Sequence, residues 1–241
     1  MIPADVESDS DARGVGNPPA RISVVRHGHV AALVSEVDLG KPLGTPEDLA
    51  AHHRVLSAVV VEVPVLPMRF GAVVTDIGAV KEELLGPLHE GFSAALKELE
   101  GKAEFVVKGR YREETILLEV LSEVPEARRL GSQIQDQPSN ATRNERFRLG
   151  ELINQAIAIK RNQDTDTVLR TLEHRCVSSR VREPTHEEDA AHVAVLVELE
   201  GEEELMDAVD DLRKMWDGRV DLQVLGPMAA YDFVVAAPPP S

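Results

Sequence analysis

The chain has 241 residues, 43% hydrophobic and 28% charged, which suits a globular protein of one large domain or two small ones. Its 42 acidic against 26 basic side chains leave a formal charge of −16, which opposes binding to DNA, RNA or an anionic membrane. Only eight residues are aromatic, so the core falls to aliphatic side chains, and the single Cys176 excludes an intramolecular disulfide and a multi-cysteine zinc site.

Residues 1–20 combine Asp, Ser, Gly and Pro and read as a flexible lead-in, without the basic and apolar regions of a secretory signal. No apolar run is long enough to span a membrane, so the chain reads as cytosolic. Ile22 to Arg26 and Val30 to Val37 alternate as two strands around the turn His27-Gly28-His29. Thr45-Pro46-Glu47-Asp48 supplies an N-cap, a first-turn proline and early carboxylates for a helix reaching about Val60. Val63 to Val74 (VPVLPMRFGAVV) is apolar but broken by two prolines and a glycine, which predicts an extended segment at or near a sheet edge.

Asp76 caps a predicted helix to about Glu100, with Val80, Leu84, Leu85, Leu88, Phe92, Leu96 and Leu99 at helical spacing and Gly101 as its C-terminal stop. A strand over Lys102 to Arg110 and a short helix from Glu113 to about Leu121 follow. These elements compose a first domain over 21–125, and 126–143 reads as a helical fragment and linker. The second domain, 144–237, opens with a long helix to Leu172 that carries Phe147, Leu149, Leu152, Ile153, Ala156, Ile157 and Ile159 as one apolar stripe. Strands at Cys176–Val181, His192–Leu199, Val220–Leu225 and Tyr231–Val235, with a helix over Glu202–Trp216, complete it before the tail 238–241. The class is α+β in two domains. Charge is segregated, since Glu183 to Asp211 holds twelve acidic side chains and no Lys or Arg, which makes a solvated face or a docking surface for a basic partner.

Three catalytic or ligand-binding patterns fail on their own chemistry. Arg26-His27-Gly28 resembles the nucleophile triplet of histidine phosphatases, but His174, His186 and His192 all lack the setting of the second histidine such an enzyme needs. His27, His29, His52, His53, Glu173, His174 and Cys176 offer metal-ligating atoms without HExxH or paired-cysteine spacing, and Cys176 reads as an inert thiol. Gly14-Val15-Gly16 precedes a strand, the wrong order for a dinucleotide fingerprint. The sequence therefore indicates no enzyme, no cofactor and no metal.

Val63 to Asp76 (VPVLPMRFGAVVTD), with His52 to Leu56 (HHRVL) before it and Glu100 to Lys108 (EGKAEFVVK) after it, resembles the most recognisable stretch of the gas vesicle GvpF/GvpL family. Leu225 to Val234 (LGPMAAYDFV) is similar to the family's closing segment, and the likeness, closest to actinobacterial members, runs in order from about 22 to 235. The resemblance implies a ferredoxin-like N-terminal domain, a C-terminal α+β domain with a modified ferredoxin-like sheet, and an accessory or minor structural protein of gas vesicle assembly. It implies as partners the hydrophobic shell protein and other vesicle accessory proteins, without nucleic acid, membrane or small-molecule substrate, and a place in the gas vesicle and cytoplasm. Leu66, Pro67, Met68, Arg69, Phe70 and Gly71 are the candidate partner contacts, through strand addition or through Met and Phe against an apolar helix. The alternative is a small-molecule sensor or enzyme on a ferredoxin-like scaffold, with its ligand in a cleft between domains. Family members usually carry an apolar strand ahead of the Ile2-Pro3-Ala4 segment, a departure that predicts an unpaired edge there.

Overall fold

The computed structural model describes residues 1–6, 13–16, 18–38, 40–135, 137 and 142–234. Most of the expected lead-in, much of the linker over 136–141 and the tail 238–241 lie outside the described residues. Helices and sheets are mixed, in two compact units that interleave along the sequence: described residues of 1–105, 196–200 and 226–234, and residues 106–195 and 201–225.

In the first unit, β1 (Ile2–Pro3), β2 (Ile22–His27) and β3 (Val30–Ser35) form an antiparallel sheet in the order β1-β3-β2. The β2–β3 hairpin sets Val25 opposite Ala32 and His27 opposite Val30, as the alternation predicts. The lead-in expectation is corrected at the start of the chain, because Met1 and Ile2 are buried in the core and Ile2 pairs with Ala31. The polar composition of residues 5–20 masks these apolar positions in the sequence. The Met1 amino group donates to the Leu66 carbonyl at 2.7 Å and the Leu66 N–H donates to the Met1 carbonyl at 2.9 Å. The extended segment expected around Leu66 thus borders β1 on the side away from β3. Burial lowers the Met1 amino group to a pKa of about 5.

Helix α1 (Pro46–Val60) starts with a complete capping box between Thr45 and Asp48, and Pro46 stands at its first turn. The single helix expected from Asp76 to Glu100 is instead three pieces: α2 (Ile77–Ala79), a π-helical turn over Val80–Leu85, and α3 (His89–Glu98). Gly86-Pro87 is the physical reason, since Pro87 offers no N–H and Gly86 N–H reaches back to the Lys81 carbonyl at 2.8 Å. Apolar spacing survives the break, because Val80, Leu85, Phe92, Leu96 and Leu99 pack with Val25, Val30 and Leu66 in one core. The strand expected at Tyr231–Val235 is a turn over its described residues, with Tyr231 N–H on the Ala229 carbonyl and Phe233 N–H on the Ala230 carbonyl.

The four-stranded sheet, most of whose residues belong to the second unit, has the order β5-β6-β4-β7, from β4 (Lys102–Tyr111), β5 (Ser178–Val181), β6 (Asp189–Glu198) and β7 (Val220–Met228). Strand β4, read from the sequence as part of the first domain, pairs in this sheet. Helices α4 (Glu113–Glu123), α5 (Pro125–Gln135) and α6 (Arg143–Leu172) pack on one another, and α7 (Glu202–Met215) buries Leu205, Ala208, Val209 and Leu212. The expected α6 stripe is corrected at Phe147 and Ile159, which are exposed, because α4, α5 and α7 cover only part of the helix circumference.

A charged cluster holds α6 in this unit. Arg219 donates to Asp164 at 3.0 and 2.9 Å and to Glu119 at 2.8 Å, while Lys160 donates to Glu119 and Glu123, both at 2.6 Å. Tyr111 donates its hydroxyl to Asp164 at 2.5 Å, and burial together with that carboxylate drives its pKa up.

Candidate partner-binding surface

Within the first unit, the sequence segments that carried the family resemblance meet around His52. Its position on α1 brings Nε2 within 3.0 Å of the Tyr231 hydroxyl. The Phe70 ring stands edge-on to the imidazole, with centroids 5.6 Å apart. Burial lowers the His52 pKa, and a hydrogen bond to the Met68 backbone works against that shift. Burial also raises the Tyr231 phenol to about 12, with the Glu104 charge adding to it. Glu104 is fully buried and accepts the Asp232 N–H at 2.9 Å, which fixes the turn that presents Tyr231. Two half-buried polar contacts, His52 with Tyr231 and Glu104 with Asp232, therefore tie the C-terminal turn to α1 and to β4.

The six predicted contact residues divide by exposure. Leu66 and Pro67 are buried, and Leu66 belongs to the core beside Met1; Met68 and Phe70 are half-buried. Arg69 and Gly71 are exposed, and Arg69 forms no ion pair within 4 Å among the described residues. Sequence reasoning missed the stretch that follows, where every residue from Gly71 to Gly78 is exposed. Val73, Val74 and Ile77 show 47%, 38% and 52% of their surface there. Asp76 accepts the Ala79 N–H at 2.9 Å and ties the far end of this run to the start of α2. The available signal was a run of small and β-branched residues, GAVVTDIG, with a single charge and no helical spacing.

The other candidates take structural places. Arg26 donates to the carbonyls of Ala4 and Val6, and His27 and His29 lie near His89, whose Nε2 accepts the His29 N–H at 3.1 Å. Among the described residues no group of three or more His, Cys, Asp or Glu side chains is placed to hold a metal ion. The Cys176 thiol donates to the Leu172 carbonyl, and burial raises its pKa. His174 and His186 are exposed, and His192 Nδ1 lies 3.0 Å from the Glu183 carbonyl. No helix among the described residues is long and apolar enough to cross a membrane.

Gas vesicle protein F of Streptomyces sp. (strain CB03234) is 34% identical over 225 residues, covering 92% of this chain and 91% of that protein. Gas vesicle protein F of Microcystis aeruginosa (strain PCC 7806) is 23% identical over 236 residues, covering 97% and 95%. The crystal structure of GvpF from Anabaena sp. PCC7120 superposes with a TM-score of 0.78 at 20% identity, covering 98% of this chain and 96% of that one. That of GvpF from Microcystis aeruginosa gives 0.76 at 19% identity, covering 96% and 95%; at these identities both establish the fold. The model of the family described as gas vesicle synthesis protein GvpL/GvpF matches residues 2–235, and the chain belongs to that family.

Proposed function

We propose that this chain binds the small hydrophobic shell protein of the gas vesicle, together with other vesicle accessory proteins, during assembly, and that it acts by binding without turnover. The supporting observation is the exposed apolar run from Gly71 to Gly78, with Val73, Val74 and Ile77 presented beside Arg69 and the half-buried Met68 and Phe70. A contiguous apolar surface on a folded protein marks an interaction site. An acidic chain of charge −16 that covers the apolar surface of a free shell subunit keeps the pair soluble until the subunit is passed to the growing wall. Leu66 and Pro67 hold the segment against the core, and the accessible side chains of Met68 to Ile77 make the contact. The resulting location is the gas vesicle and the cytoplasm around it.

We also infer a ferredoxin-like plan for both units. Strands β4, β5, β6 and β7, connected through helices α4 to α6 and α7, take the spatial order β5-β6-β4-β7, the order of a βαββαβ sheet. In the first unit, the segment around Leu66 extends β1-β3-β2 to the same order with one helix fewer.

The test is co-expression with the host's shell protein and capture of the complex, comparing the wild-type chain with Arg69→Glu, Phe70→Ala and Ile77→Asp. Capture by wild type, lost in variants with native thermal stability, supports the reading; absence of the shell protein and of every vesicle accessory protein from the wild-type capture refutes it. A second reading, a small-molecule sensor or enzyme, has one observation in its favour. A cavity of about 440 Å³ in the first unit, lined in part by Val60, Val63, Leu96 and Lys97, also reaches Ser93, whose buried hydroxyl has no hydrogen-bond partner. A metabolite at 100 times its Kd adds about 2.7 kcal/mol of stability, so a thermal-shift screen without hits rejects that reading.

A further inference from the structure

The cavity of about 440 Å³ in the first unit falls within the range of about 300–1,000 Å³ usual for small-molecule sites. Its walls come from the chain after β1, the turn after α1, one face of α3 and Leu199. Backbone bonds fix two of them, since Val63 N–H donates to the Val59 carbonyl at 3.0 Å and Leu199 N–H to the Gly101 carbonyl at 2.8 Å. Val60 and Leu96 are buried in the lining, and Val63 and Leu199 are half-buried, which makes an aliphatic wall.

The polar groups of the lining are of both signs and lack partners. Ser93 and Lys97 stand one turn apart on α3 and so share a face. The Ser93 hydroxyl is buried without a hydrogen-bond partner, a state that costs stability and that a bound group relieves. Lys97 is exposed and forms no ion pair within 4 Å among the described residues. Lys102, the other lysine of the lining, is already held by the carbonyls of Glu98 and Glu100 at 2.9 and 3.4 Å. Asp5, Glu62 and Glu100 also line the cavity as exposed carboxylates, and they too form no ion pair within 4 Å among the described residues. A simple aliphatic acid would bring its charge toward three carboxylates, and a simple aliphatic amine would leave Ser93 and Lys97 unmatched. A molecule that carries a carboxylate, an ammonium and an aliphatic body matches all of these groups together. We propose that the cavity binds a free aliphatic α-amino acid of the leucine, isoleucine and valine type. Its carboxylate meets Ser93 and Lys97, its ammonium faces Asp5, Glu62 and Glu100, and its side chain lies against Val60, Val63, Leu96 and Leu199. Such binding, without turnover, rests on the small-molecule reading of this cavity and gives it a ligand class. No residue of the Arg69 to Ile77 surface lines the cavity, so shell-protein capture and amino-acid binding are separate readouts.

Isothermal titration calorimetry of the full chain with leucine, isoamylamine and isocaproate is the test, because each analogue keeps the branched body and deletes one charged group. Saturable leucine binding is expected, with each analogue bound at least about tenfold more weakly. Lys97→Met keeps most of the aliphatic stem and deletes the ammonium, so it should raise the leucine dissociation constant roughly tenfold to hundredfold and leave isoamylamine binding unchanged. Ser93→Ala deletes a hydroxyl that has no partner, so it should weaken leucine binding without lowering the urea midpoint. Absence of binding by leucine, isoleucine and valine at millimolar concentration overturns the proposal. So does an analogue bound as tightly as leucine, or a Lys97→Met variant that binds leucine as the wild type does. Metabolites of another class that stabilise the chain while these amino acids do not would also overturn it, and would leave the small-molecule reading standing.

Discussion

Replacing Gly226 by alanine tests whether close packing fixes the closing Gly-Pro-x-x-x-Tyr segment. Gly226 has φ +144, and an added Cβ would lie 2.6 Å from Cδ1 of Phe105 and 2.9 Å from the Glu104 carbonyl oxygen. Phe105 is fully buried and the Glu104 carbonyl is backbone in β4, so neither neighbour swings away cheaply. Gly71 is the control, with φ +91 and no atom within 4 Å of the added Cβ. Gly71→Ala therefore measures the cost of the backbone conformation alone, about 1–2 kcal/mol. Gly226→Ala adds overpacking of about 1–3 kcal/mol, for a total of about 2–5 kcal/mol. Urea unfolding of the two variants reads the difference as a larger fall in midpoint for Gly226→Ala at unchanged slope. In thermal melts each kcal/mol corresponds to about 2–4 °C for a chain of this size, so the variants should separate by several degrees. Equal destabilisation of the two variants would refute the steric argument, because their neighbours are what distinguishes them.

Three further outcomes follow from the polar networks. Tyr231→Phe removes the hydroxyl from His52 and should cost about 1 kcal/mol in urea unfolding, whereas no loss would mean that the 3.0 Å contact contributes nothing. Arg219→Met leaves Asp164 and Glu119 without their main partner and should cost about 2–4 kcal/mol, somewhat under the full-burial value because the cluster is partly hydrated; a smaller loss than Tyr231→Phe would contradict it. Stability should also fall in acid in two stages. The Met1 amino group, at about 5, and His52 both have lowered folded pKa values, so the unfolded chain binds their protons first, and stability present above about pH 8 for Met1 and about pH 6.5 for His52 is lost as pH falls below those values. Burial raises both Glu119 and Asp189, but Arg219 and Lys160 outweigh it at Glu119 and Thr185 and His186 outweigh it at Asp189, leaving both lowered. Their contribution is present above the ordinary carboxylate range and is lost below about pH 4.5. Urea midpoints measured from pH 8 to pH 3 check both stages, and His52→Gln should shrink the first stage while leaving the part due to the Met1 amino group.

Local signals in the sequence are legible where one short segment decides the outcome. Thr45-Pro46-Glu47-Asp48 begins α1 because the cap, the proline and the reciprocal carboxylate are all local, and the β2–β3 hairpin follows from alternation on either side of one turn. Features that depend on remote pairing were not legible. Lys102–Tyr111 reads as a strand from composition, but its place beside β6 and β7 depends on residues about 90 to 120 positions away. Met1 and Ile2 are core residues only because β3 and Leu66 receive them. At the candidate surface, the resemblance points to Leu66–Gly71, of which Arg69 and Gly71 are exposed, and the exposed run continues beyond them to Gly78. Leu66 and Pro67 look as apolar as Val73 and Ile77 in the sequence, and only packing separates anchor from surface.

The most direct test of the proposed role is whether this chain keeps the shell protein from aggregating. Denatured shell protein diluted into buffer is followed by light scattering with and without the purified chain, and with Val73→Asp or Ile77→Asp variants of native stability. The wild type should suppress scattering near stoichiometric ratio, and the variants should do so poorly. Scattering unaffected by the wild type, or suppressed equally by the variants, would contradict binding through the Arg69 to Ile77 surface.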